Sequence, residues 1–261
     1  INIRQNDSIK KSAEQGNAQA QYNLGYMYFS GKGIQKDYEK AFYWFKKSAV
    51  QGYDSAQANL GFMYAYGKGV INDPVKAFYW LKKSAEQGDT VAQYNLADMY
   101  YHGEGTLKDL NKAFYWFKKA ADQNYASAQF NLGNLYRTGK GVESNSKNAR
   151  YYYEKSANNG FAKAQFNLAI MYLHGLGVEK NLKKVIYWYE KAANQGFAMA
   201  QFHLASMMLN GEGTNRDLYR ALDLYTSAAE SGISAAFKAK VEVKAMIENE
   251  IQLLENAFAM H

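Results

Sequence analysis

Between residues 17 and 52, Ala20, Leu24 and Tyr28 stand four residues apart, the spacing of one buried stripe on an amphipathic helix. This predicts a first helix over about 18–30. Gly31 and Gly33 then end it, because two glycines in three residues supply the positive φ that stops a helix. Asp37 stands where an N-cap belongs. After it, Ala41, Trp44, Phe45, Ser48 and Ala49 form the buried stripe of a second helix over about 38–50. Gly52 closes this helix as a C′ residue.

The same pattern returns every 36 residues. Ala-Gln recurs at 20–21, 56–57, 92–93, 128–129, 164–165 and 200–201. The first loop glycine recurs at Gly31, Gly67, Gly103, Gly139, Gly175 and Gly211, and the second at Gly33, Gly69, Gly105, Gly141, Gly177 and Gly213. The N-cap column reads Asp37, Asp73, Asp109, Asn145, Asn181 and Asp217, all residue types whose side chains cap well. Pro74, the only proline, follows Asp73 at the first helical position, where a missing N–H costs nothing. The C′ column is glycine except at Asn124, and asparagine is the residue that best tolerates that backbone after glycine. Leu24, Leu60, Leu96, Leu132, Leu168 and Leu204 form an unbroken column. Ala49, Ala85, Ala121, Ala157, Ala193 and Ala229 mark a close approach of neighbouring helices. A fixed period of this length predicts stacked helix pairs, and turns the search for function from a pocket to a sticky face.

The pattern A-Q-x-N-L-G-x-M-Y-x-x-G-x-G-V, followed by A-F-Y-W-x-K-K-A-A-x-Q-G, resembles the Sel1-like repeat, a relative of the tetratricopeptide repeats with a longer loop between its two helices. Phe42-Tyr43-Trp44-Phe45, Phe78-Tyr79-Trp80-Leu81 and Phe114-Tyr115-Trp116-Phe117 are near-identical second-helix cores. The resemblance implies an all-α, right-handed α/α solenoid of stacked antiparallel helix pairs. Residues 1–16 match the end of a preceding second helix, 17–232 hold six repeats, and 233–261 form a C-terminal capping helix with Val243, Ile247, Leu254 and Phe258 on its inner side. Some members of the family are linked to β-lactam or peptidoglycan chemistry. That branch is cysteine-rich, with a disulfide in each repeat, and this chain has no cysteine.

Composition adds little that contradicts this. The chain has 261 residues with 16% aromatics, too apolar for disorder. No run of apolar residues is long enough to span a membrane. The chain begins at Ile1, as expected of a mature form or an excised piece. The formal charge of +7 admits acidic partners, yet no uninterrupted run of Lys or Arg exists. Lys40, Lys76, Lys112 and Lys184 form one outer column, and Lys47, Lys83, Lys119, Lys155 and Lys191 another. Glu39, Glu86, Glu154 and Glu190 interrupt the ribbon, whose stems are expected to cover aromatic rings. Arginine is too scarce for a nucleic-acid stripe.

Catalytic chemistry finds no foothold. His102 and His174 share one repeat position but lie two repeats apart, too far to share a metal, and His203 and His261 stand alone. Gly-Lys-Gly at 31–33, 67–69 and 139–141 lacks the Ser/Thr and the preceding strand of a phosphate loop. Glu104 and Glu212 read as loop tips. No enzyme activity, metal or cofactor is expected.

The resemblance implies that first helices line a concave groove. Asn23, Asn59, Asn95, Asn131 and Asn167, with His203 sixth, form a column that either reaches a bound peptide backbone or bonds a neighbouring helix end; recurrence favours the second reading. Three other columns vary: Tyr26, Phe62, Asp98, Asn134, Ile170, Ser206; Phe29, Ala65, Tyr101, Arg137, Leu173, Leu209; and Tyr22, Ala58, Tyr94, Phe130, Phe166, Phe202. Variation on a fixed framework points to ligand reading, and Tyr, Phe and Arg are typical interface anchors. The expected partner-binding residues are Tyr94, Asn95, Asp98, Tyr101, Phe130, Asn131, Asn134 and Arg137, extended by Asn59, Phe62 and Asn167. The expected function is a monomeric, non-enzymatic scaffold for a protein or peptide partner, without nucleic acid. A bacterial source and an exported, host-directed role in virulence are further expectations, with a cell-wall hydrolase or a polyanion binder as alternatives.

Overall fold

The computed structural model describes residues 3–259; His261 and the outermost residues of both terminal segments lie outside the described residues. Within them the chain is α-helical, with no strand. The helices are α1 (Ile3–Glu14), α2 (Ala18–Ser30), α3 (Tyr38–Val50), α4 (Asp54–Tyr66), α5 (Pro74–Glu86), α6 (Thr90–His102), α7 (Leu110–Asp122), α8 (Ala126–Thr138), α9 (Ser146–Asn158), α10 (Ala162–His174), α11 (Leu182–Ala193), α12 (Ala198–Asn210), α13 (Leu218–Glu230) and α14 (Ser234–Ala259). Even-numbered helices from α2 to α12 are the first helices of the repeats, and odd-numbered ones from α3 to α13 the second. The architecture is an all-α solenoid of helix pairs closed by α14.

The chain divides into two compact units. The first runs to Ala128 and includes Lys140–Val142; the second holds Gln129–Gly139 and resumes at Glu143. In the first, each of α1 to α7 packs on its chain neighbour; in the second, the same holds from α9 to α14.

Every expected N-cap forms. Asp37 Oδ1 accepts the Lys40 N–H at 2.9 Å, and Asp73, Asp109, Asn145, Asn181 and Asp217 repeat the bond. Each first helix with a described cap ends on a left-handed glycine, and Asn124 has φ 65°. The second loop glycine has a further role. At Gly69 a Cβ would stand 2.2 Å from the Tyr38 carbonyl oxygen, so this loop presses on the start of the preceding repeat's second helix. Gly105 meets Pro74 and Gly141 meets Leu110 in the same way.

The leucine column is buried throughout, together with Ala41, Ala77 and Ala113 in the first unit and Ala149, Val185 and Ala221 in the second. Close packing explains another small-residue column. A Cβ on Gly61 would lie 2.7 Å from Leu81 Cγ, and one on Gly133 would lie 2.5 Å from the Tyr153 ring.

The Ala-Gln signature is a joint between repeats. Gln21 is buried and donates from Nε2 to the Ala13 carbonyl at 3.1 Å, in the last turn of α1. Its Oε1 accepts from Gln51 Nε2 at 2.7 Å, just past α3, and Gln51 also donates to Gly16 O at 2.9 Å. One amide thus ties three helix ends and gives the Ala13 carbonyl a second donor beside the Gly16 N–H. Gln57–Ala49–Gln87 and Gln93–Ala85–Gln123 repeat the joint in the first unit, and Gln165–Ala157–Gln195 in the second.

The C-terminal helix departs from expectation along its outer half. Val243 and Ile247 are buried, but Leu254 is 60% and Phe258 80% exposed. Ala205, Leu218, Tyr225, Ala228 and Ala229 offer α14 a floor only as far as Ile247, because a repeat is one helix pair deep while α14 has 26 residues.

Candidate interaction surfaces

In the first unit, α2, α4 and the start of α6 enclose a cleft of about 250 Å³. Tyr22, Ser55, Ala58, Asn59, Phe62, Asp89, Val91 and Asn95 line it. Three of the expected residues, Asn59, Phe62 and Asn95, thus meet in one cavity. Asn59 is held: its Nδ2 donates to the Ser55 carbonyl at 2.8 Å, and its side chain lies near enough to the Tyr22 hydroxyl to lower that group's pKa slightly. Burial pushes that hydroxyl's pKa up, and Tyr53, Tyr26 and Asp89 push the same way. Phe62 packs on Tyr66 with tilted rings at 4.5 Å and meets Phe29 at 6.0 Å, so the cleft continues into an aromatic patch whose outer members, Tyr26 and Tyr66, are exposed.

Tyr94 is half-buried against Phe117 and Tyr125. Its column is a packing column as well as a varying one, for Tyr22 touches Phe45 and Tyr53 in the same way. Asp98 lies 3.5 Å from His102, and burial raises its carboxyl pKa against the pull of that histidine. Tyr101 accepts from Lys140 Nζ at 3.2 Å, with Lys108 and Lys140 both 5.7 Å from its ring centroid.

In the second unit, the expected residues converge on a side chain that the sequence pattern did not single out. Tyr153 of α9 is fully buried. Its hydroxyl donates to Asn134 Oδ1 at 2.7 Å and accepts from Arg137 Nε at 3.2 Å, with Asn167 near enough to lower its pKa slightly. Burial raises its pKa, opposed by Arg137. Phe130 packs on the Tyr153 ring at 5.8 Å and on Phe161 at 5.2 Å. Asn131 is half-buried. One repeat further on, Tyr189 is desolvated to a pKa of about 12 and stacks on His203, whose own pKa burial lowers. Tyr153 was missed because its column, Phe45, Leu81, Phe117, Tyr153, Tyr189, Tyr225, reads as core. The available signal was the change from apolar to hydroxylated at Tyr153.

The outer lysines are spoken for. Lys40, Lys76 and Lys112 lie 2.9, 2.8 and 3.2 Å from Asp37, Asp73 and Asp109, each also over a tyrosine ring. Lys47, Lys83 and Lys119 sit 4.7, 5.0 and 5.6 Å over the half-exposed rings of Tyr43, Tyr79 and Tyr115. Lys155 and Lys191 cover Tyr151 and Tyr187 likewise. Glu154 and Glu190 pair with Arg150 and Arg220.

Among the described residues, no three His, Asp or Glu side chains are placed to hold a metal ion, and no helix is long and apolar enough to cross a membrane.

A family profile described as Sel1 repeat matches residues 18–53, 54–89, 90–125, 126–161, 162–197 and 198–233. Among solved structures, the chain is similar to a protective antigen present in uropathogenic Escherichia coli strains and displaying an SLR fold. The two share 39% identity with a TM-score of 0.86, over 90% of this chain and 50% of the antigen. A Sel1 repeat protein from Oxalobacter formigenes is 30% identical with a TM-score of 0.77, over 88% of this chain and 100% of its own length. The chain therefore spans about half the length of the Escherichia coli antigen. A comparison with curated proteins gave no match.

Proposed function

Because the chain belongs to the Sel1 repeat family, whose members are generally non-enzymatic protein-interaction scaffolds, we propose that it holds an extended peptide segment of a partner protein on its first-helix face. The observation that carries this reading is the cleft of Tyr22, Asn59, Phe62 and Asn95. It offers apolar rings for anchoring beside amides that donate and accept at once. In the first unit the contact residues are Asn59, Phe62, Tyr94, Asn95, Asp98 and Tyr101; in the second they are Phe130, Asn131, Asn134, Arg137 and Asn167. The domain reading goes with this: six repeats over 17–232, a partial repeat before them and a cap after. The scaffold acts as a monomer, exported from a bacterium. Its likeness to a protective antigen of a pathogen supports that placement and a host-directed role.

Affinity capture on the immobilised chain, read by mass spectrometry, tests the proposal. A captured partner should bind a Tyr101→Ala/Arg137→Ala variant with a loss of about 2 kcal/mol or more at unchanged Tm. Binding that survives this change but disappears in a Lys83→Ala/Lys119→Ala variant moves the working surface to the outer face. Turnover of cell-wall material by the purified chain, abolished by one cleft substitution, replaces the scaffold with a hydrolase.

A further inference from the structure

Four arginine side chains are described, and three have a carboxylate: Arg150 with Glu154, Arg216 with Glu250 and Arg220 with Glu190, each at 2.8 Å. Arg137 has none. Its one side-chain hydrogen bond goes from Nε to the Tyr153 hydroxyl, 3.2 Å away. That hydroxyl cannot drift, because its ring is fully buried and its own proton is committed to Asn134 at 2.7 Å. The guanidinium is therefore fixed in direction through Nε, while its two terminal nitrogens keep their donors free of protein partners among the described residues.

The cluster is also out of pattern. At the position of Arg137 the other repeats carry Phe29, Ala65, Tyr101, Leu173 and Leu209. At that of Asn134 they carry Tyr26, Phe62, Asp98, Ile170 and Ser206. Tyr153 is the first hydroxyl in a column that reads Phe45, Leu81 and Phe117 before it. Tyr189 and Tyr225 follow it, but only in this repeat do an arginine and an asparagine stand at the two first-helix positions, and both bond the Tyr153 hydroxyl. A buried tyrosine needs a single acceptor, which Asn134 supplies; satisfying the hydroxyl does not require an arginine. Arg137 is exposed, so its charge meets water and any arriving ligand. A fixed fork of unpaired donors matches the two oxygens of a carboxylate better than it matches a neutral group.

We infer that Arg137, oriented by the Tyr153 hydroxyl, is the receptor for one carboxylate of the bound peptide, with Asn134 and Asn167 beside it. The inference rests on the proposed peptide-binding function and names the chemistry of one of its anchors. The carboxylate comes from an acidic side chain or from a peptide C-terminus.

The test is a nuclear magnetic resonance titration of the full chain, following the Arg137 Nε–Hε signal and the side-chain amides of Asn134 and Asn167. Four probes are used: N-acetylglutamate α-amide, N-acetylalanine, methyl phosphate as a competing anion and, as a neutral control, N-acetylglutamine α-amide. Either carboxylate should give a saturable shift and the control none, and whichever of the two binds more tightly identifies the source. Arg137→Gln should abolish the amide response. Tyr153→Phe, which leaves the ring packing that Phe45 and Phe117 already use, should weaken it about tenfold, the equivalent of one charge-assisted hydrogen bond, at unchanged Tm. The inference is overturned by equal response to the neutral probe, by no saturation, by an Arg137→Gln variant that responds normally, or by methyl phosphate binding more tightly than both carboxylates. A captured partner whose affinity ignores Arg137→Gln overturns it too, and leaves the scaffold standing. A carboxylate that binds here while no partner is captured does the reverse.

Discussion

Ser48 and Ser84 occupy the same repeat position with different outcomes. Ser48 Oγ donates to the Ala18 carbonyl at 2.7 Å, whereas Ser84 Oγ is buried with no partner. The next repeat has Ala120 there. An unsatisfied buried hydroxyl costs on the order of 1–3 kcal/mol, so Ser84→Ala should stabilise by about 1 kcal/mol, seen as a higher urea midpoint at constant slope. A lower midpoint would mean that Ser84 has a partner. The amide joint shows the same logic at its last member. Gln201 Oε1 is buried without a partner, because Ser231 stands where the earlier repeats carry Gln51, Gln87, Gln123, Asn159 and Gln195. Ser231→Gln should complete the joint and stabilise by about 1 kcal/mol. The N-cap aspartates set the acid limb of stability. The backbone N–H groups of Lys40 and Lys112 lower the pKa values of Asp37 and Asp109, and the Lys76 ammonium that of Asp73. Groups depressed on folding stabilise above the ordinary carboxylate range, and that contribution is lost as pH falls through their folded values. Replacing all three by Asn keeps the cap, as Asn145 and Asn181 do, and should flatten the fall in Tm on acidification. An unchanged acid limb would assign it to other carboxylates.

Helix ends were legible because they depend on local chemistry. A capping oxygen or a missing Cβ acts within a few residues, so Asp109, Pro74 and Asn124 announced their roles in one dimension. Contacts between elements were less visible. Gln21 and Gln57 were plain as register marks, but their partners lie 8 residues back and 30 ahead, and periodicity does not say which atoms meet. Arg137 stood out in a varying column, while Tyr153, whose hydroxyl it bonds, was hidden in a core column. The outer half of α14 was legible as a helix but not as an overhang, since an apolar stripe gives no measure of how far its floor extends. Glycines separate the two kinds of information well. Gly52 and Gly69 both have positive φ, but a Cβ on Gly52 meets nothing within 4 Å while one on Gly69 strikes the Tyr38 backbone at 2.2 Å. Gly52→Ala should therefore cost about 1–2 kcal/mol of backbone strain alone, and Gly69→Ala more than about 3 kcal/mol. Equal costs in urea melts would show that the loop yields and that backbone strain alone decides.

For the whole molecule, these joints make each repeat answerable only to its neighbours in the chain. Gln57 reaches Ala49 behind and Gln87 ahead; the Gly69 loop reaches Tyr38. Nothing in these bonds refers to a repeat's ordinal place. The number of repeats is thus a free quantity, one that duplication or loss can change without redesign. Excising residues 54–89 joins Tyr53 to Thr90 in register. Gln93 then inherits the Ala49 carbonyl, Gln123 the Gly52 carbonyl, and the Gly105 loop the start of α3. The shortened chain should fold with the same helicity per residue, melt in one transition, and lose stability by about one repeat's share. A chain that counts its own units this way can lengthen or shorten its first-helix face in steps of 36 residues, so that its reach varies independently of the side chains in any one repeat.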